Sequence, residues 1–203
     1  MAEVRKRELP GTVPGPPRRH ASGDGREGAG GVRPAGDGGL EWSVAAMTDA
    51  LRRLAEAGAD GPLAVAAATE AVWWITTVDA AMSRHHPGAY GRALARLDPA
   101  ARRAVEGSLA GLRFLRGQLG YYADPGDFIQ PAPGADPAAR WTWSAVPPPA
   151  PQRGSARDAS PYREYRDQLA GRAVAEVLGQ AAGFLCHAHA PACSGHRSPA
   201  SAT

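Results

Sequence analysis

The chain has 203 residues with 25 glycines, 19 prolines and two cysteines, and its 23 lysines and arginines against 20 aspartates and glutamates leave a net charge of +3. That length suits one ordinary domain with tails, and so small a charge imposes no general field for nucleic acid. No apolar run is long enough to span a membrane and no apolar segment of signal-peptide type follows Arg5, Lys6 and Arg7, so a soluble, cytoplasmic protein without membrane contact is expected.

Residues 1–40 read as a disordered tail. Pro10, Pro14, Pro16, Pro17 and a run of glycines from Gly23 to Gly39 leave almost no large apolar side chain. Such a stretch cannot bury enough surface to offset its ordering entropy. A first helix is expected over about 41–56, where Val44, Met47, Leu51 and Leu54 recur at helical spacing before Gly58 and Gly61. A second is expected over about 62–84. It opens at Pro62 and carries the stripe Ala67, Ala71, Trp74, Ile75, Val78 and Met82, with Trp73 widening the buried face. A partly helical connector with Tyr90, Leu94 and Leu97 follows.

The third helix starts at Asp98-Pro99, a capping residue followed by proline, and runs to about residue 121. Gly107 and Gly111 share one face of it and admit a close neighbouring backbone. Residues 123–160 form a long proline-rich loop in which Trp141 and Trp143, two apart, point to one side and dock on the helices. The fourth helix opens at Ser160-Pro161 and runs to about 185, with Tyr162, Tyr165, Leu169, Ala173, Val177, Ala181 and Phe184 on its apolar face. Residues 186–203 read as a second disordered tail. The expected architecture is all-α: an up-down four-helix bundle over residues 41–185, with the loop inserted at about 123–160.

One residue breaks the pattern. Val105, Leu109, Leu112, Arg116 and Leu119 are spaced 4, 3, 4, 3, so Arg116 falls on an apolar stripe. A guanidinium keeps its charge in a protein and needs a partner there, either a structural carboxylate or a ligand. Glu70 and Asp79 are the candidate carboxylates; nine residues apart, they lie on opposite sides of their helix. Arg113 is three residues from Arg116, and with Tyr121 and Tyr122 one turn on, the two arginines could hold a phosphate while a tyrosine stacks a base. The plainer arrangement has Arg113 facing solvent and Arg116 paired internally.

Other candidates are weaker. Cys186, His187, His189, Cys193 and His196 offer five metal-ligating side chains within eleven residues, but in no standard zinc spacing and without an apolar shell. A solvated tail with a buried Cys186 is expected instead, and a Cys186–Cys193 disulfide does not suit a reducing cytoplasm. His85 and His86 sit where imidazolium is favoured by a helix C-terminus. No phosphate-binding glycine loop, hydrolase serine motif or dinucleotide fingerprint occurs, so neither a nucleotide nor any other cofactor is expected.

Three segments carry a resemblance: Glu70-Ala-Val-Trp-Trp-Ile-Thr-Thr-Val-Asp79, Leu109-Ala-Gly-Leu-Arg-Phe-Leu-Arg-Gly-Gln-Leu-Gly-Tyr-Tyr122, and Tyr165-Arg-Asp-Gln-Leu-Ala-Gly-Arg-Ala-Val174. Together they resemble uncharacterised actinobacterial proteins of HEPN-like type, over residues 63–185. The resemblance implies a helical bundle that dimerises. In that family many members are metal-independent endoribonucleases of toxin and defence systems. Their arginine, followed by a polar residue and a histidine four to six residues on, holds the scissile phosphate while the histidine moves a proton. Arg116 matches the arginine. The polar position is Gly117, and Tyr121 and Tyr122 occupy the histidine window. A phenol with a pKa near ~10 is a poor base at neutral pH. The resemblance therefore implies a non-catalytic homodimer that binds RNA or a protein partner. The alternatives are an active endoribonuclease using Arg116, Arg113 and a tyrosine or His85, and a purely structural or interaction protein.

Overall fold

Helix boundaries in this chain are set by short polar side chains and by glycine. In the computed structural model, residues 37–119, 124–132, 140–146 and 159–194 are described, with only the backbone described at 37, 125, 159, 160 and 191–194. Helix α1 spans Asp37–Ala57 and ends at Gly58, whose φ of 55° needs no Cβ. Helix α2, Gly61–His85, is capped by Asp60, which accepts from the Leu63 amide at 3.0 Å. Its other end turns at His86 into α3, Pro87–Ala95. Helix α4, Pro99–Leu119, starts under Asp98, whose carboxylate accepts from the amides of Ala100 and Ala101 at 2.9 and 3.0 Å. Those two bonds hold the Asp98 carboxyl below its ordinary pKa.

The all-α expectation holds: six helices and one two-stranded ribbon make up the regular structure of the described residues, apart from a 3-10 turn at Pro125–Phe128. Six helices stand where four were expected, for two reasons. The connector after residue 86 is itself α3. The fourth segment is broken into α5, Ala159–Gln168, and α6, Val174–Ser194. Gly171, at φ 77°, allows that break. The backbone groups it frees are taken up by the ribbon: the Gly171 amide donates to the Trp143 carbonyl at 2.8 Å, and the Trp143 amide donates to the Arg172 carbonyl at 3.0 Å.

The ribbon pairs β1, Ile129–Pro131, with β2, Trp141–Trp143, antiparallel, with Ile129 opposite Trp143. The segment expected as a structureless loop thus contributes to the core. Trp143 is buried, and the Trp141 indole donates to the Gly58 carbonyl at 3.0 Å. Tyr165 donates to the Ser144 carbonyl at 2.7 Å, and Tyr162 to that of Val146 at 3.0 Å. The two tryptophans do pin this segment to the helices.

Helix α2 supplies much of the core through Ala64, Ala67, Ala68, Ala71, Val72, Ile75, Val78 and Met82, and packs against α1, α4 and α6. Two boundaries differ from expectation. Helical structure begins at Asp37, with Leu40 buried, and α6 continues past residue 185 to Ser194. The rest of the expected tails, 1–36 and 195–203, lies outside the described residues. No helix among the described residues is long and apolar enough to cross a membrane.

Helices α4 and α5 meet at the two glycines. A Cβ on Gly111 would stand 3.1 Å from the Cα of Tyr165 and 2.7 Å from Leu169 Cδ1; the atoms nearest one on Gly107 belong to the side chains of Gln168 and Glu164, at 2.8 Å. Backbone cannot yield as a glutamine can. Gly111→Ala should lower stability by about 1–2 kcal/mol despite its gain in helix propensity, while Gly107→Ala stays within about 0.5 kcal/mol of wild type. Urea unfolding of both variants checks this.

Candidate functional site

The third-helix arginines exchange the roles expected of them. Asp79 lies fully buried on α2, and it is Arg113 that reaches it: Nη2 and Nε sit 2.6 and 2.7 Å from Oδ2. The other carboxylate oxygen accepts from the Tyr90 hydroxyl of α3 at 2.7 Å. Asp79 therefore ties α2 to α3 and α4. Arg113 keeps half its side chain in water, 51% exposed against 1% for Asp79. The phenol of Tyr90 is pushed well above its ordinary pKa, first by burial and then by the adjacent carboxylate, and stays a donor.

Arg116 has no carboxylate partner among the described residues. Both expected counter-charges are taken. Asp79 belongs to Arg113, and Glu70 pairs with Arg53 of α1 at 2.7 Å and also accepts from the Trp74 indole at 3.4 Å. Arg116 instead donates through Nη1 to the hydroxyls of Thr76 at 3.1 Å and Thr77 at 3.4 Å. Those hydroxyls are oriented by donating to the carbonyls of Val72 and Trp73 one turn back. The guanidinium carbon stands 4.0 Å from the centroid of the Trp73 ring. At that distance a cation–π contact contributes about 0.5–2 kcal/mol. The Nε and Nη2 donors are left without a protein partner among the described residues.

Trp73 does not widen the buried face as expected. It is 51% exposed and forms a wall for Arg116. Its neighbour Trp74 takes the half-buried position and meets the ring of Trp42 edge-on at 4.8 Å. Together these groups line a groove of about 610 Å3 between α2 and the end of α4. Val65, Ala66, Val72 and Leu119 supply apolar walls, and Glu70, Arg116 and Asp124 are its charged residues. The Asp124 carboxylate accepts from the Gly126 amide at 2.9 Å, capping the 3-10 turn.

The other candidates stand apart among the described residues. Arg113 is paired with Asp79 through Nε and Nη2, while Arg116 is not. Tyr121 and Tyr122 lie outside the described residues. His85 stands in the last turn of α2, exposed, nine residues from Thr76 and so about 13.5 Å along the axis from the hydroxyls that hold Arg116. Its place suits the helix dipole. Cys186 is exposed on α6 rather than buried, although partial desolvation still raises its thiol pKa. His187 lines a second cavity, between α4 and α6, beside Phe184, and His189 is half-buried one turn from Leu185. No group of three metal-ligating side chains occurs among the described residues; His196 and the side chain of Cys193 lie outside them.

In comparisons with known proteins, no family model, no curated protein and no solved structure matches this chain.

The two arginines should separate cleanly in stability measurements. Arg113→Ala strands a buried carboxylate and should cost about 3 kcal/mol, the lower end for one side of a buried pair because Arg113 is half exposed. Arg116→Ala should cost about 1 kcal/mol or less, since it releases only a stacked, hydroxyl-bonded cation. Urea midpoints at constant slope report both. A pH effect follows from the tyrosines. Burial raises the phenol pKa of Tyr90 and of Tyr165 above the ordinary 10.0 in the folded chain. Above that value the unfolded chain has released protons that the folded chain still holds, so stability falls as pH rises. Tyr165→Phe should flatten that fall between pH about 9 and about 11, read as the unfolding midpoint against pH.

Proposed function

We propose that this chain is a HEPN-like helical domain that acts by binding rather than by catalysis, and that the groove between α2 and α4 holds the anionic group of its ligand. One observation carries the reading: Arg116 is a half-buried cation with two hydroxyl partners and no carboxylate among the described residues. A charge placed so is normally matched. An anion from outside the described residues would match it, and the groove beside it is open to receive one.

The same surroundings argue against hydrolysis. Cleavage of RNA by its own 2′-hydroxyl needs a group that moves a proton within hydrogen-bond reach of the held phosphate. Around Arg116 the described residues offer threonine hydroxyls already donating to backbone, a tryptophan and apolar walls. Of the two carboxylates that line the groove among the described residues, Glu70 is engaged by Arg53 and Asp124 accepts from the Gly126 amide. The homodimer in this proposal is supported by the family resemblance, and the exposed Trp42 and Leu63 provide apolar surface that pairing would cover.

Incubation of the purified protein with total RNA in EDTA should leave the RNA intact. Fragments that accumulate with wild type and vanish with Arg116→Ala would replace this proposal by the metal-independent endoribonuclease. Loss of stability alone in Arg116→Ala, with no ligand of any kind perturbing the indole signals of Trp73 and Trp74, would leave the purely structural reading.

A further inference from the structure

We infer that the occupant of the α2–α4 groove is a small monocarboxylic acid with an apolar body, an inference that rests on the binding reading above and names its ligand class. Three features select that chemistry over a phosphate or a nucleic-acid strand.

The first is the state of the guanidinium. Thr76 and Thr77 engage only Nη1 of Arg116, and Trp73 covers one face of the planar group. The edge formed by Nε and Nη2 carries parallel N–H bonds. That edge matches the two oxygens of a carboxylate in a bidentate pair.

The second is charge. Arg116 is the sole cation among the described residues that line the groove, and Glu70 and Asp124 line it too. Glu70 is offset by Arg53 at 2.7 Å, whereas Asp124 accepts from a backbone amide and has no cation partner among the described residues. A monoanion meets one guanidinium and one unpaired carboxylate. A phosphate dianion, or a strand with a phosphate at each nucleotide, would meet the same single cation and a larger repulsion.

The third is the wall. The groove holds about 610 Å3 and is faced by Val65, Ala66, Val72, Leu119, Trp73 and Trp74. That volume is within the range of small-molecule sites, which are mostly apolar with a few placed polar groups. A medium-length acyl chain or an aryl ring fits within such a space, with its carboxylate at Arg116.

The test uses the full chain, isothermal titration calorimetry and the indole N–H signals of the tryptophans. The probes are octanoate and hydrocinnamate, which separate an aliphatic from an aromatic body, with octanol and octyl phosphate as the neutral and more highly charged counterparts of octanoate. At least one acid should bind saturably and shift the Trp73 signal. Octanol should bind about tenfold or more weakly than octanoate, the scale of one hydrogen bond to a charged group. Octyl phosphate should also bind more weakly than octanoate. In Arg116→Lys, which keeps the charge and loses the fork, the preference for acid over alcohol should shrink; in Arg116→Met it should vanish while the alcohol still binds. The comparison of the probes on wild type stands even if a variant fails to fold. Equal binding of acid and alcohol, tighter binding of octyl phosphate, or no saturable binding of either acid overturns the inference. If octyl phosphate or an RNA oligonucleotide shifts Trp73 through Arg116 while the acids do not, the ligand class is wrong but the binding reading survives; cleavage of RNA removes both.

Discussion

The buried carboxylate of Asp79 is the constraint on which the helical arrangement depends. Its oxygens are reached from two other helices, by Arg113 of α4 and Tyr90 of α3. A fully buried aspartate cannot be left without donors, because burial of an unpaired charge costs several kcal/mol or neutralises the group. Satisfying it fixes the register of α4 against α2. Arg113 must stand opposite Asp79, and Arg116, three residues further along α4, then falls opposite Thr76 and Thr77, two and three residues earlier on α2. This places α4 antiparallel to α2 at that contact. The position of the groove therefore follows from a structural ion pair that takes no part in it.

That division of labour explains why two arginines so close in sequence do different work. Arg113 spends its donors on a charge already inside the fold. Arg116 faces only dipoles: two hydroxyls and the negative face of an indole. Neutral partners stabilise a guanidinium without cancelling its charge. Had Glu70 turned to Arg116, it would have cancelled the guanidinium charge that faces the groove. Arg53 prevents this by holding Glu70 toward α1, and Asp49 in turn contacts Arg53 at 3.0 Å. These exposed pairs are individually worth little to stability. Their consequence is positional, since they decide which carboxylate is available to Arg116.

Much of the helical content was legible because it rests on local signals. Asp98-Pro99 reads as a helix start and is one, and the spacing of Met47, Leu54, Ile75, Val78 and Met82 reads as core and is buried. The exchange between Arg113 and Arg116 was not legible. The 4, 3, 4, 3 stripe places Arg116 on the apolar side, but the buried arc of α4 also includes Ser108, Gly111 and Leu115, so Arg116 lies toward its flank. Which arginine meets Asp79 depends on the axial offset of α2 and α4, a long-range quantity absent from either periodicity. Trp73 and Trp74 fail for a related reason. Adjacent positions on a helix differ by about 100°, so only one of the pair can face the core, and a broad stripe of alanines does not say which. The break between α5 and α6 was masked because Tyr165, Leu169, Ala173 and Val177 keep a helical period across it; Gly171 was the local clue, and its meaning came from the ribbon that pairs with the break.

The setting of Arg116 also bears on how a ligand would be held. Thr76 and Thr77 are not free rotors: each hydroxyl hydrogen is committed to a carbonyl one turn earlier, so the oxygen lone pairs point outward to the guanidinium. Trp73 stands on the same helix, one turn before them. The three residues form a cradle on one rigid element, and Arg116 reaches it from another. Such a cation loses little further conformational freedom when an anion arrives, which lowers the entropic cost of binding. A lysine at this position would keep the charge, but its ammonium has no planar face to lay on the indole and no fork to present. The same preorganisation is of little use to a hydrolase without a proton-transfer group beside it. It is sufficient for a site whose task is to hold one charge at the mouth of an apolar groove.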